Sequence, residues 1–381
     1  MRLHAYMAAL AIGCAGAARD DGTKSPAAAP AAAPTAAPAA APTAAPAAAP
    51  TAAPAAAPAA LISATITPEL LRADVAQLSS DEMGGRFFRS PFALKAAAWV
   101  EARLSESGLV PLEGRDSMRM PIDDEPETGP NIVARFAIAD AKRTASDATT
   151  TPTTPSALPP ANDGIIIISA HYDHLRPRRS GDDRIFNGAD DNASGVCGMI
   201  AVARALRALA DAGQPPQCTV VFIAFNGEEA GLRGSNAFVA KPPLSLAKVR
   251  GVFNMDMISR GRPREIFIDG GAVGAPLIER LRKANEQIKL SLRIDEHPDW
   301  LPRSDQAAFL AKRIPAVLFS VEDHEDYHRV TDHVEKIDAA LAADVARLVA
   351  LTVWDMSCET LAAKQSAQEP SATTTSEPPR P

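Results

Sequence analysis

Four apolar runs, at 165–170, 219–225, 249–255 and 316–320, are spaced along the chain with helical segments between them. They are apolar at most positions, not only at alternate ones, which suits strands buried on both faces. The intervening segments 193–212, 230–240 and 275–287 read as helices, with a short one at 304–311 and a closing one at 339–355. Strand–helix alternation of this kind calls for a largely parallel sheet covered on both sides. The expected fold class is therefore α/β, a three-layer sandwich with a mainly parallel, mixed central sheet between helices. Such a sheet opens its strand ends onto one edge, where ligands collect.

The rest of the chain divides by composition. From Pro26 to Pro58 a proline falls at every fourth position, separated only by Ala and Thr. That density removes backbone donors and forces extended conformers, so 25–60 reads as a disordered, semi-rigid spacer. Helical spacing returns at 68–80 (Leu70, Leu71, Val75, Leu78) and 91–108 (Leu94, Ala98, Val100, Leu104), with Gly108 as a terminator of the second. A strand is expected at 131–136 and a shorter one at 266–268. Residues 139–162, rich in Thr, Pro, Ala and Asp, read as a surface insertion, and 363–381 as a disordered tail. One folded domain is thus expected over 61–362.

Charge and cysteine usage narrow the functional classes. The 39 basic and 46 acidic residues give a net charge of −7 with no basic stripe, which argues against a nucleic-acid partner. No apolar run reaches the roughly 18 residues of a membrane-spanning helix. At the N-terminus, 1–24 reads as a signal segment: Arg2, an Ala/Leu/Ile-rich run to Gly13, then Cys14. Leu10-Ala-Ile-Gly-Cys14 resembles a bacterial lipoprotein signal, although its Leu stands one position further upstream than usual. The other readings are a secretory signal cut near Ala17 or a misassigned start. The expectation is export to the cell envelope, periplasm or outer surface, with membrane anchoring through lipidated Cys14. Cys197, Cys218 and Cys358 are an odd set, so no disulfide framework is indicated.

Chemistry-bearing residues gather where the strands end. His171 and Asp173 follow 165–170, Glu228 and Glu229 follow 219–225, Asp256 ends 249–255, and His328 lies beyond 316–320. Asp190 and Asp191 precede a helix start, with Asn192 or Ser194 available as cap. Singly, each motif is ordinary: a His-x-Asp pair, an Asp-Asp-Asn helix start, a Glu-Glu first turn. Together they place two His and at least four carboxylates at one sheet edge, where divalent cations relieve the repulsion.

The order of Ala170-His-Tyr-Asp-His174, Gly188-Ala-Asp-Asp-Asn-Ala-Ser-Gly195, Asn226-Gly-Glu-Glu-Ala230 and Asn254-Met-Asp-Met257 resembles a known family. It is similar to the co-catalytic di-zinc aminopeptidases of metallopeptidase family 28, the bacterial leucyl aminopeptidase type, with glutamate carboxypeptidase and glutaminyl cyclase as relatives. The likeness is strongest from 165 to 338 and weaker over 70–136, where Met83-Gly-Gly-Arg86 and Asn131-Ile-Val133 match the family's opening segment. The resemblance implies the zinc exopeptidase type of fold and two Zn²⁺ per chain. It implies His171 and Asp256 on one ion, Glu229 and His328 on the other, and Asp191 bridging both, with a cis peptide to Asn192. Asp173 would orient His171, Glu228 would be the general base toward a water bridging the ions, and Tyr327 would steady the tetrahedral intermediate. Three carboxylates and a bridging hydroxide balance two Zn²⁺. Ser304-Asp305-Gln306 stands where members often have Ser-Asp-His, a departure that touches substrate contacts and not the metal set.

The expected activity is removal of N-terminal residues from peptides by an exported enzyme. Three rivals stand beside it. His324-Glu-Asp-Tyr-His328 fits the His-Glu-x-x-His pattern of single-zinc proteases, but that pattern needs both histidines on one helix face. The segment follows a strand and is dense in acids, so His324 and Glu325 read as loop residues. A glutaminyl cyclase would use one zinc, and a non-catalytic binding domain on the same fold would have lost ligands. Oligomeric state and the preferred N-terminal residue are not legible.

Overall fold

Among the residues that the computed structural model describes (57–125, 127–136 and 164–359), nine strands form one sheet. They are β1 (Val110–Pro111), β2 (Arg119–Met120), β3 (Asn131–Phe136), β4 (Ile165–His171), β5 (Thr219–Phe225), β6 (Val249–Met255), β7 (Glu265–Asp269), β8 (Ser291–Ile294) and β9 (Ala316–Ser320). Their spatial order is β1-β3-β5-β4-β6-β9-β7-β8, with β2 also on β3. The central four, β5-β4-β6-β9, are mutually parallel. Antiparallel β3 and β7 border them, and β8 runs parallel to β7. The signal segment, the insertion, the tail and the spacer as far as residue 56 lie outside the described residues.

The apolar runs are continuous because both faces of the sheet are covered. On β4, Ile166 and Ile168 face one cluster while Ile165 and Ile167 face the other. On β5, Val220, Phe222 and Ala224 alternate in the same way with Val221, Ile223 and Phe225. The first face packs α1 (Pro58–Thr65), α2 (Pro68–Leu78), α3 (Pro91–Glu106), α4 (Gly195–Asp211), α6 (Gly271–Ile288) and α8 (Ala339–Cys358). The second packs α5 (Arg233–Ala240) and α7 (Gln306–Leu310), through Phe238 and Phe309. Each fully buried side chain of this size contributes about 1.5–3 kcal/mol of transfer free energy. α4, buried along most of its length, packs against β4 and α8.

The helices start where their sequences say they should. Thr67 and Ser90 cap α2 and α3 by accepting the N–H of Leu70 and Ala93, each followed by a proline at the first helical position. Departures from expectation include two at helix starts. Helix appears already at Pro58, inside the range read as spacer, because Ile62 and Ile66 insert into the core and Arg347 donates to the Ile66 carbonyl. The segment read as helix from 230 begins only at Arg233, because the chain leaves β5 through Gly227 (φ 77°) and turns at Gly231 and Leu232. Both carboxylates of the Glu-Glu pair therefore sit on a turn and not on a helix. Cys197, Cys218 and Cys358 are unbridged.

Candidate metal centre

Four loops at the carboxyl ends of the parallel strands build one acidic site, and two buried anchors hold them. Arg86 follows two glycines with positive φ, and its fully buried guanidinium donates to the carbonyls of Leu78, Tyr172, Asn187 and Gly188. It thereby ties the loop after β4 to the turn that carries Asp190 and Asp191. Asn131, at the start of β3, donates to the Gly234 carbonyl and accepts the N–H of Asn226, pinning the loop after β5.

The acidic turn at Ala189–Ser194 is locked from three sides. Asp332 accepts the N–H groups of Asp190 and Asp191 at 3.0–3.2 Å. Asn192 donates to the Met255 carbonyl and accepts the N–H groups of Gly195 and Met257. Gly195 allows the close approach, since a Cβ there would lie 2.3 Å from the Met255 carbonyl oxygen. The peptide between Asp191 and Asn192 is cis. The two acids point apart. Asp190 is consumed by the N–H and hydroxyl of Ser259 and the hydroxyl of Ser194, with His324 Nε2 at 3.1 Å, while Asp191 faces the site.

Asp191 stands between two groups of donors. Its Oδ1 is 3.5 Å from His171 Nε2, which is 3.1 Å from Asp256 Oδ1. Its Oδ2 is 3.2 Å from His328 Nε2, which is 3.3 Å from Glu229 Oε2. Ligands at about 2.0–2.2 Å in a tetrahedral shell are separated by roughly 3.3 Å, so these four spacings suit residues able to hold metal. The residue types fit zinc, imidazole and carboxylate without thiolate. Glu228 and Tyr327 line the same pocket. Tyr327 stacks on the His328 ring, centroids 3.9 Å apart.

Electrostatics agree with a site shaped for cations. Burial opposes charge on His171, yet the carboxylates of Asp256 and Glu228 raise its pKa well above the ordinary range. Burial likewise opposes charge on His328, but its contacts with Asp191 and Glu229 lift it to about 10. Glu228 is pushed well up by burial and by Asp256, Asp305 and Glu229, against the pull of His171. Buried Asp305 rises to about 7, chiefly by desolvation. Burial opposes charge on Glu229 and Asp256 as well, but the histidines they touch hold both below the usual carboxylate range.

Asp173 lies against His171 and also reaches the loop after β5. His171 Nδ1 lies 3.2 Å from the main-chain carbonyl of Asp173 and 3.7 Å from its Oδ1, so the hydrogen bond goes to the backbone. The Asp173 carboxylate also accepts the N–H of Glu228 at 3.1 Å. His324 lies in irregular backbone and His328 on a turn, not on one helix face, and His328 has φ 54°, which removes the helical single-zinc arrangement. Gln306, at the departure from Ser-Asp-His, is buried and donates to the Trp300 and Leu301 carbonyls. One histidine was not assigned from the sequence: His174, fully buried, with Nδ1 2.8 Å from Glu229 Oε1. Its signal was present as the last residue of His-Tyr-Asp-His, but only the fold shows which way that ring turns.

The sequence profile described as Peptidase family M28 matches residues 154–353. Leucine aminopeptidase 1 of Arthroderma otae is 27% identical over 198 residues, 51% of this chain and 46% of that protein. Aminopeptidase YwaD of Bacillus subtilis is 28% identical over 200 residues, 50% of this chain and 41% of that one. The chain thus spans less than half the length of these relatives. Among solved structures, BSAP, a zinc aminopeptidase from Bacillus subtilis, superposes with a TM-score of 0.57 at 17% identity, covering 76% of this chain and 95% of that one. At that identity the likeness speaks to the fold: a mixed central sheet with helices around it.

Proposed function

Since the chain belongs to peptidase family M28, we propose that it is a metallo-aminopeptidase that removes N-terminal residues from peptides with two zinc ions. The observation that carries this reading is Asp191, whose two oxygens face two separate histidine–carboxylate pairs. His171, Asp256 and Asp191 would hold one ion, and Glu229, His328 and Asp191 the other. Bound there, two zinc ions would lower the pKa of a shared water and polarise the scissile carbonyl.

The remaining steps belong to side chains. Glu228 lines the pocket but stands outside both donor groups, so its carboxylate is free to take a proton from the attacking water. As the C–N bond breaks, Glu228 returns that proton to the leaving amine. Its backbone is fixed by the Asp173 carboxylate. Tyr327 offers a hydroxyl at the pocket wall, where charge develops on the carbonyl oxygen. Met257, Trp300, Leu318 and Val321 form an apolar wall, which supports an apolar side chain at the substrate's first position. The N-terminal segment supports export, with a lipid anchor at Cys14.

The test is a purified chain profiled against aminoacyl reporters and N-terminally blocked peptides, with metal content measured in parallel. Cleavage of free but not blocked N-termini, with close to two zinc per chain, is the expected result. One zinc per chain with cyclisation of N-terminal glutamine would overturn it in favour of a cyclase. Metal-free protein that binds peptides without cleaving them would leave only a binding domain.

A further inference from the structure

We infer that His174 is a positioning residue for Glu229: its Nδ1–H holds Oε1, so that Glu229 presents only Oε2 to the ion it shares with His328. This rests on the two-ion reading above and adds a residue to it.

Three observations assign the role. The Nδ1–Oε1 separation of 2.8 Å is a hydrogen-bond distance, shorter than the 3.1–3.5 Å between the donors that flank the two ions. Second, His174 Nε2 is buried and meets no hydrogen-bond partner among the described residues. A proton there would be a buried donor with nothing to receive it, so the tautomer that fits this geometry has its N–H at Nδ1, facing Oε1, and leaves Nε2 bare. A ring that ligated a metal through Nδ1 would have the opposite tautomer and would strand an N–H. Third, the two oxygens of Glu229 are already divided, Oε1 to His174 and Oε2 to His328.

The ring is held in place by its surroundings. A Cβ on residue 188 would stand 2.7 Å from His174 Cδ2, so Gly188 leaves the space the imidazole fills. Phe186 packs edge-on against the ring, with centroids 6.2 Å apart. Gly188 also accepts from Arg86, which joins the same anchor to the Asp191 turn. His174 therefore couples the loop after β4 to the loop after β5, with its Nδ1 nearer to Glu229 Oε1 (2.8 Å) than to Asp191 Oδ2 (3.7 Å).

The test compares His174→Asn, His174→Gln and His174→Phe by stepwise zinc affinity, from chelator competition, and by the cobalt absorption spectrum. Asn carries an amide N–H near the position of Nδ1, and Gln near that of Nε2. Outer partners of metal ligands are typically worth about 10–100-fold in affinity. The expected result is a loss of that size for one of the two ions in Gln and Phe, with Asn close to wild type and the other ion unaffected in all three. The Asn–Gln contrast stands alone if the Phe variant does not fold. If Asn loses the ion as fully as Phe and Gln do, His174 is a ligand and the inference fails. Unchanged affinities in all three variants also overturn it, while wild type keeping two zinc leaves the parent reading intact. A wild-type chain that takes up no zinc removes both.

Discussion

The carboxylate of Asp173 accepts the backbone N–H of Glu228 at 3.1 Å, so the loop after β4 positions the loop after β5. Asp173 thus acts on the Glu228–Glu229 turn through the main chain, while the imidazole of His171 leans on the Asp173 carbonyl. Adjacent Glu228 and Glu229 then part: Glu229 meets His328 and His174, while Glu228 lines the pocket without joining those contacts.

That divergence separates two substitutions. Glu228→Gln keeps size and hydrogen bonding but accepts no proton at neutral pH. General-base catalysis is typically worth about 10²–10⁴-fold, so kcat is expected to fall by at least about 100-fold, with zinc content and Tm unchanged. Glu229→Gln is expected to weaken zinc binding first. Metal analysis beside steady-state kinetics reads both, and the reverse pattern would exchange the two roles.

His171 and His324 are separated by what they touch. His171→Ala removes a donor facing Asp191 and Asp256 and is expected to lose zinc and activity. His324 pairs with Asp190, which keeps two Ser259 contacts without it, so His324→Ala is expected to retain most of both. Zinc loss confined to His324→Ala would restore the His-Glu-x-x-His reading.

Zinc uptake is expected to release protons. In the metal-free chain His171 and His328 have raised pKa values, that of His328 about 10, and both must deprotonate to ligate. Zinc affinity should therefore climb with pH across 6–9, by about tenfold per pH unit for each proton displaced. Calorimetry in buffers of different ionisation enthalpy counts the protons. The sign for stability is opposite. A raised histidine pKa stabilises the metal-free fold fully below its unfolded value of about 6.5, and the effect is lost as pH rises through 10. The Tm gap between wild type and His328→Gln, both stripped of metal, should shrink over that interval.

Arg86 is expected to matter for folding without touching substrate. Replacing it by Met strands four buried carbonyls that now share one guanidinium. Bonds from a charged donor are worth about 1.5–3 kcal/mol each, and partial relaxation leaves an expected loss of at least about 3 kcal/mol in urea unfolding. A variant within 1 kcal/mol of wild type by the same measurement, roughly the error of one such bond, would show the loops held otherwise.

For the N-terminus, Cys14→Ser is expected to move the protein from the membrane to the soluble fraction at unchanged specific activity. Fractionation with and without the substitution checks it, and unaltered membrane association would remove the lipid anchor.

The sequence by itself determined the elements that local chemistry writes plainly. Continuous apolar runs such as 165–170 demand burial on two faces, and proline or glycine marks the ends of α2 and α3. Because a parallel sheet sends its strand ends to one edge, that alone gathers His171, Asp191, Glu229, Asp256 and His328. What pairs with what was left to the tertiary structure. Neither the helix at Pro58 nor strand β8 has a pattern of its own strong enough to declare it, and each forms against a neighbour already in place. The roles of Asp190 against Asp191, of the Asp173 carboxylate and of His174 depend on side-chain direction, which periodicity does not carry. Direction is set by contacts between segments distant in sequence, Asp332 with the Asp190 turn and His174 with Glu229, and those exist only once the sheet has brought the loops together.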